Sequence, residues 1–187
     1  MKKLFAILIA AVTVFGFSQC GSSKKATPNV AGEQLIETYC SGPDFQSNKD
    51  FFRANAISES MDQQVSRQKA LTQARTLLAQ QLQVTLKNVT DAYVNSTSHN
   101  TVEDLGQRYE GLTREVTNQK LSGTRTICEK TTRTQAGNYK TYVALELSGE
   151  EVLGAMKAKI SADEKLRIDY DYEKFKKTFE DEMGKME

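Results

Sequence analysis

The chain has 187 residues, with 25 Lys and Arg against 24 Asp and Glu, so its formal net charge is +1. Binding to nucleic acid needs clustered basic side chains, whereas the basic and acidic residues here are interleaved along the sequence. This pattern excludes a nucleic-acid-binding protein. The absence of Trp and a mean hydropathy of −0.53 fit a polar folded body rather than an integral membrane protein.

The chain begins with Lys2 and Lys3, an apolar run over residues 4–17, and then a cysteine at Cys20. A bilayer span needs about 20 apolar residues, so this run is short for one. A basic start before a short apolar run is typical of a cleaved export signal. The sequence therefore predicts a signal peptide over residues 1–19, and it leaves open an ordinary signal peptide followed by a stray thiol, or an uncleaved anchor.

The four residues FSQC, which end at Cys20, resemble the lipobox of bacterial lipoproteins, with Phe17 and Gln19 departing from its usual pattern. The resemblance implies a diacylglycerol thioether on Cys20 and acylation of its new amino group, for example with palmitate. Two or more acyl chains give a lasting membrane anchor. Gly21 after the cysteine implies sorting to the outer membrane of a Gram-negative bacterium, with the body of the protein in the periplasm.

Residues 20–32, CGSSKKATPNVAG, are small and polar and predict a flexible tether. Two short runs typical of β-strands follow at residues 33–40 and 51–58, separated by Gly-Pro and Asn turn signals. We expect residues 33–148 to form an α+β core domain and residues 149–187 a C-terminal helical extension.

A long helix is predicted after the second strand. Ser60 opens a capping box of the S-x-x-Q form, and neither Pro nor Gly follows until Gly106, which predicts a helix of about 30 residues. Apolar residues recur within it at steps of three to five, marking a buried stripe. The stripe contains Met61, Val65, Ala70, Ala74, Leu77, Leu78, Leu82, Val89 and Tyr93. Its small alanines favour packing on a sheet over a coiled-coil seam.

A β-hairpin is the clearest signal in the second half of the chain. After a polar loop at 95–101 and a helical or irregular stretch to about Gln119, residues 124–134 have the Thr and Ile content of a strand. A turn at 135–138 leads into YKTYVALEL, whose strict alternation predicts the partner strand.

Two further helices are predicted, one capped by Ser148 and one opening at Ser161. The predicted architecture is α+β, with an antiparallel sheet of about four strands, one long helix packed across it, and C-terminal helices. The last helix carries an apolar stripe that either packs on the domain or faces a partner. Its members are Ile168, Tyr172, Phe175, Phe179 and Met183.

Two segments, FFRANAISESMDQQVSRQKALTQARTLLAQQL and NYKTYVALELS, together resemble the LPP-type family of small outer-membrane lipoproteins, which is related to the N-terminal domain of a flagellar-ring assembly protein. The shared pattern covers residues 40–148. It consists of a strand with Arg-Ala, a Ser-rich joint, an Ala-rich helix and a late strand of Tyr-Val-Ala-Leu-Glu-Leu type. The resemblance implies a cell-envelope lipoprotein that acts through its surface and carries no enzyme chemistry.

The sequence offers little catalytic or metal-binding chemistry. His99 is the one histidine and lies in a polar loop, beside Ser98 but without a nucleophile elbow. The acidic clusters at 163–164, 169–173 and 180–182 alternate with basic residues, which is typical of a solvated helix face. We therefore predict no catalytic residue, no metal site and no cofactor.

Cys40 and Cys128 are the two thiols left once Cys20 is lipidated, and each lies on a predicted strand. Export to an oxidising compartment predicts a disulfide between them, with two buried reduced cysteines as the alternative. The expected function is that of a non-enzymatic envelope lipoprotein, held in the membrane by its lipid, that binds or braces an unidentified envelope protein. A hydrolase of cell-wall or lipid material and a carrier of a small apolar ligand are the alternatives.

Overall fold

The computed structural model describes residues 36–96, 102–168 and 170–186. Its sheet consists of three strands, β1 (Phe51–Ser60), β2 (Arg125–Arg133) and β3 (Tyr139–Ser148), arranged antiparallel in the order β1-β3-β2. The α+β class, with one long helix packed on an antiparallel sheet, is confirmed. The prediction of about four strands is wrong, because the described residues contain three.

The strand predicted at residues 33–40 is absent from the part that the structure describes. Cys40 has a φ of 55°, in the left-handed region, which interrupts an extended backbone. After a 3-10 turn at Pro43–Phe45, the Ser47 Oγ accepts a hydrogen bond from Arg53 N at 2.7 Å and donates one to Arg53 O at 3.1 Å. The Ser47 side chain therefore satisfies the backbone N–H and C=O of Arg53 at this edge of β1.

The predicted hairpin between β2 and β3 is confirmed. Thr134 N donates to Asn138 O at 2.8 Å and Gly137 N donates to Thr134 O at 2.9 Å, which closes the turn. Gly137 has a φ of 87°, a conformation that glycine adopts without strain. A β-bulge between Thr126 and Cys128 adds one residue to β2 and returns Cys128 to register opposite Ala144.

The long helix α1 spans Gln63–Asn95 and begins later than the capping box predicted. Asp62 is its N-cap, and the carboxylate accepts a hydrogen bond from Val65 N at 2.9 Å. Ser60 is instead the last residue of β1, paired with Tyr139. The predicted cap failed because strand pairing continues through Ser60 and leaves it with extended backbone.

The predicted stripe of α1 is buried along most of its length, from Ala70 to Tyr93. Three of its members are corrected: Met61 lies outside the helix and is 85% exposed, while Val65 and Leu77 are 38% and 41% exposed. A small serine takes the first buried position of the helix instead. Ser66 Oγ donates to Ser58 O at 3.0 Å and lies within hydrogen-bond distance of Thr141 Oγ1, at 2.9 Å, which ties α1 to both β1 and β3.

Three more helices complete the fold: α2 (Val102–Lys120), α3 (Gly149–Ala162) and α4 (Tyr172–Gly184). Ser148 caps α3, as predicted, by accepting from Glu151 N. The next helix does not open at Ser161. Instead, the Asp163 carboxylate accepts from Leu166 N and Lys165 N at 3.0 Å each, which forms a short turn before α4.

The helices and the sheet share one hydrophobic core. Residues Glu37–Glu187 form one compact unit, and the buried side chains of α3 and α4 join those of α1 and the sheet in one cluster. In the described residues after Ser148, α3 and α4 therefore pack into the same core as α1 and the sheet. Among the residues described, no helix is both long and apolar enough to cross a bilayer.

Candidate interaction surfaces

The sheet has two unlike faces. One face packs on α1 through alternate residues of β3, such as Val143 and Leu145. The other, which we call the outer sheet face, carries the intervening β3 residues and their neighbours on β1 and β2. It comprises Arg53, Asn55, Ile57, Glu59, Arg125, Cys128, Lys130, Thr132, Lys140, Tyr142, Ala144 and Glu146.

The disulfide predicted from the cysteine count is present on the outer sheet face. Cys40 and Cys128 are joined, with their Cα atoms 5.5 Å apart. Cys128 lies opposite Ala144, which is fully buried although it belongs to the outer face. The bridge therefore attaches the segment before β1 to the sheet and covers part of this face.

One acidic residue of the outer sheet face is buried between two arginines. Arg53 Nε donates to Glu146 Oε2 at 2.7 Å, and Arg125 pairs with Glu146 Oε1 from the other side. The three residues stand in register across β1, β3 and β2. Burial raises the pKa of Glu146, but the hydrogen bonds and charges of Arg125 and Arg53 outweigh that effect and lower the pKa below its usual range.

Glu146→Gln is expected to lower the free energy of unfolding by about 3 kcal/mol at pH 7, because it leaves the buried end of Arg53 without its anionic partner. Since the folded pKa is lowered, this contribution is complete above the unfolded pKa of about 4.3. It is lost as the pH falls through the folded value. Urea denaturation at pH 7 and pH 3 measures both effects.

Glu129→Gln is the matched control for this prediction. Glu129 is likewise a β2–β3 hairpin glutamate paired with an arginine, Arg67, but both side chains of that pair are substantially exposed. An exposed pair of this kind contributes at most about 1 kcal/mol. Equal losses for the two variants, or a Glu146→Gln loss that does not shrink in acid, would contradict the assignment of Glu146 as a buried ionised group.

Aromatic and lysine side chains form a patch on the rest of the outer sheet face. Tyr142 is half-buried, and its ring meets the ring of Tyr39 edge-on at 5.3 Å. Ile57 and Lys130 lie opposite Tyr142 on β1 and β2, and Lys140 Nζ is 5.8 Å from the Tyr142 ring centroid. We call these five residues the Tyr142 patch.

A second surface feature is a depression beside α1. Two open depressions of about 430 and 480 Å³ share a wall formed by Leu77, Gln81 and Met186. Val84, one turn beyond Gln81, lines the larger one and is 60% exposed. We call this continuous feature the α1 groove. Its lining combines apolar side chains, such as Leu77 and Val84, with polar ones such as Gln81, and mixed surfaces of this kind occur in protein interfaces.

The predicted C-terminal stripe faces mainly inward. Phe175 and Met183 are fully buried and Phe179 is 3% exposed, so these three belong to the core. Tyr172 is half-buried under Lys157, whose Nζ lies 3.8 Å from the ring centroid. Ile168 lies outside α4 and is 76% exposed. Of the two alternatives for this stripe, the burial of these three residues favours packing on the domain over a continuous surface for a partner.

Aromatic packing explains why this stripe is buried. The Phe175 ring meets Tyr93 at 5.3 Å, Tyr170 at 5.7 Å and Tyr109 at 6.4 Å between centroids. Tyr93 Oη also accepts a hydrogen bond from Asp171 N at 2.8 Å, at the N-cap of α4. Burial raises the pKa of Tyr109 and Tyr170 above the usual range, as expected for a packed cluster.

Several predicted sites remain outside or apart from these surfaces. Cys20 and His99 lie outside the described residues. Two of the acidic residues considered for chemistry, Asp163 and Asp171, act as backbone caps. No group of three or more possible metal ligands occurs in residues 36–96, 102–168 and 170–186.

No protein-family model matches the chain, and the search of curated proteins finds no match either. The family resemblance described from the sequence is therefore carried by the quoted residues alone.

Sequence reasoning did not identify the Glu146 cluster, the Tyr142 patch or the α1 groove. For Glu146 a signal was present, because an acidic residue between two leucines near the end of a strand favours an arginine on a neighbouring strand. The groove had a weaker signal in Leu77 and Val84, which are seven residues apart and so recur on one side of α1.

Proposed function

We propose that this protein is a lipid-anchored component of the bacterial cell envelope whose folded body binds or braces another envelope protein and carries out no chemical step. The observation that carries this proposal is the bond between Cys40 and Cys128. Disulfides persist in oxidising compartments such as the periplasm and are rare in the cytosol. The bond therefore supports export of the chain.

The N-terminal sequence supports a lipid anchor in particular. Cys20 is the first of the three cysteines in the chain, and the other two, Cys40 and Cys128, are joined to each other. It follows a basic start and a short apolar run, within residues that resemble a lipobox. Lipidation gives this thiol a role, and the residue after it favours the outer membrane as destination.

The α1 groove supports a protein partner. Leu77 and Val84 expose 41% and 60% of their surfaces in a helix whose other apolar residues are largely buried. Exposed apolar residues beside polar ones such as Gln81 form a surface that a partner segment with apolar side chains would cover. We propose that an envelope protein places such side chains against Leu77 and Val84.

Cys20→Ala is expected to abolish both the acyl label and the membrane attachment, because the variant has no thiol to carry the lipid. Cells are grown with a fatty acid that carries an alkyne for click chemistry. The label on the protein and the flotation of the protein with membranes are then measured. The double variant Cys40→Ala/Cys128→Ala is the control, since it retains Cys20 and should keep its label. Full labelling of Cys20→Ala would end the proposal of an anchor at this residue.

In the same membranes, a photo-crosslinking residue at Val84 tests the partner. The expected result is a discrete adduct of defined mass. The same crosslinking residue placed at Arg75, which is exposed on the opposite side of α1, should give no such adduct. Identical adducts from both positions, or none from either, would contradict binding through the α1 groove.

A further inference from the structure

The Tyr142 patch combines the residue types found where proteins meet lipid headgroups. Tyr39 is 56% exposed, Ile57 is 41% exposed, and Lys130 is exposed beside them. Tyrosine rings concentrate at membrane interfaces, where one end of the ring is apolar and the other is hydrated. Lysine lays its methylene chain along apolar surface and extends its ammonium group toward phosphate.

Charge on the outer sheet face favours an anionic surface. Four basic residues, Arg53, Arg125, Lys130 and Lys140, stand against the acidic Glu146 and Glu59. Glu146 is occupied by both arginines, and the Glu59 carboxylate accepts a hydrogen bond from Asn138. Lys130 and Lys140 have no acidic partner within 4.0 Å among the described residues. Both ammonium groups are therefore available to lipid phosphates.

The disulfide fixes where the chain joins this face. Cys40 is bonded to Cys128 on the outer sheet face, and Tyr39 packs on Tyr142 immediately before it. Seventeen residues run from Cys20 to Ile36. The lipid proposed on Cys20 is therefore joined to the domain through its outer sheet face, at Cys40.

We propose that the Tyr142 patch lies against the bilayer surface, with Tyr39 and Tyr142 at the level of the headgroups and Lys130 and Lys140 bound to anionic lipid phosphates. This inference rests on the proposed lipid anchor at Cys20. It adds the orientation of the domain to that anchor, because contact through the patch turns the outer sheet face toward the bilayer.

The chain contains no Trp, so a single introduced Trp reports on its own position. Tyr39→Trp is the test variant, and Val84→Trp is the matched control, because Tyr39 and Val84 are 56% and 60% exposed. The lipidated proteins are placed in vesicles of zwitterionic and anionic phospholipid with brominated acyl chains. The brominated chains are expected to quench about half of the Trp fluorescence of Tyr39→Trp, which lies at the bilayer, and to leave the fluorescence of Val84→Trp unchanged.

Adding Lys130→Gln and Lys140→Gln to Tyr39→Trp is expected to restore most of the Trp fluorescence, because the patch then lacks the two ammonium groups that bind lipid phosphates. The protein should still float with the vesicles, because the acyl anchor is unchanged. Equal quenching of Tyr39→Trp and Val84→Trp in floating protein, or quenching of neither, overturns the orientation and leaves the anchor intact. Protein that carries no lipid and does not float overturns the proposed anchor, and this inference with it.

Discussion

Cys40→Ala/Cys128→Ala is expected to lower the free energy of unfolding by about 4–5 kcal/mol, since the bridge closes a loop between residues separated by 88 positions in the sequence. In the chain-entropy model a loop of this length strongly restricts the unfolded ensemble. A domain of this kind has a total stability of only about 5–15 kcal/mol. The variant should therefore be close to unfolding at physiological temperature, and urea denaturation measures the loss.

Reductant provides the control for this prediction. Wild-type protein treated with dithiothreitol should lose the same stability as the double variant, whose own midpoint should not change with reductant because it has no bond to break. A loss below about 1 kcal/mol would show that the bridge leaves the unfolded chain nearly unrestricted, and would contradict the estimate from loop length.

Phe175→Ala is expected to cost about 3–5 kcal/mol, because the ring is fully buried and its removal leaves a cavity among three tyrosines. The variant should also loosen α4 from α1, since Tyr93 of α1 contacts Phe175 directly. Thermal unfolding and amide hydrogen exchange across α4 measure the two effects.

Ile168→Ala is the matched control, because Ile168 was predicted in the same stripe but is 76% exposed. Truncation of an exposed side chain changes stability by no more than about 0.5 kcal/mol. Comparable losses in both variants would contradict the burial pattern of the C-terminal helices, and with it the conclusion that α3 and α4 share the core of the domain.

The elements that the sequence predicted well are those set by local pattern. Alternation along β3 and the turn containing Gly137 specify the hairpin, and the spacing of apolar residues specifies α1. Boundaries were less secure, because two possible caps, Ser60 and Asp62, stand close together. Only the pairing of Ser60 with Tyr139, a contact distant in sequence, decides between them.

The surfaces could not be predicted because they depend on contacts between distant segments. Periodicity shows that α4 has an apolar side, but it does not show that Tyr93 and Tyr109 are there to cover it. Likewise, alternation places Glu146 on the polar side of β3, while its burial results from Arg53 and Arg125 on two other strands. The cysteine pair was predictable because a count of thiols requires no knowledge of the fold.

The position of the disulfide also determines how the domain responds to mechanical load. When the two ends of the chain are pulled apart, tension enters the fold at Cys40 and passes through a covalent bond to Cys128 on β2, so β1, α1 and α2 lie outside this load path. Stretching the oxidised protein therefore leaves about 300 Å of contour length unextended, because the 88-residue separation stays closed. A domain bridged in this way resists full extension when its two ends are pulled apart.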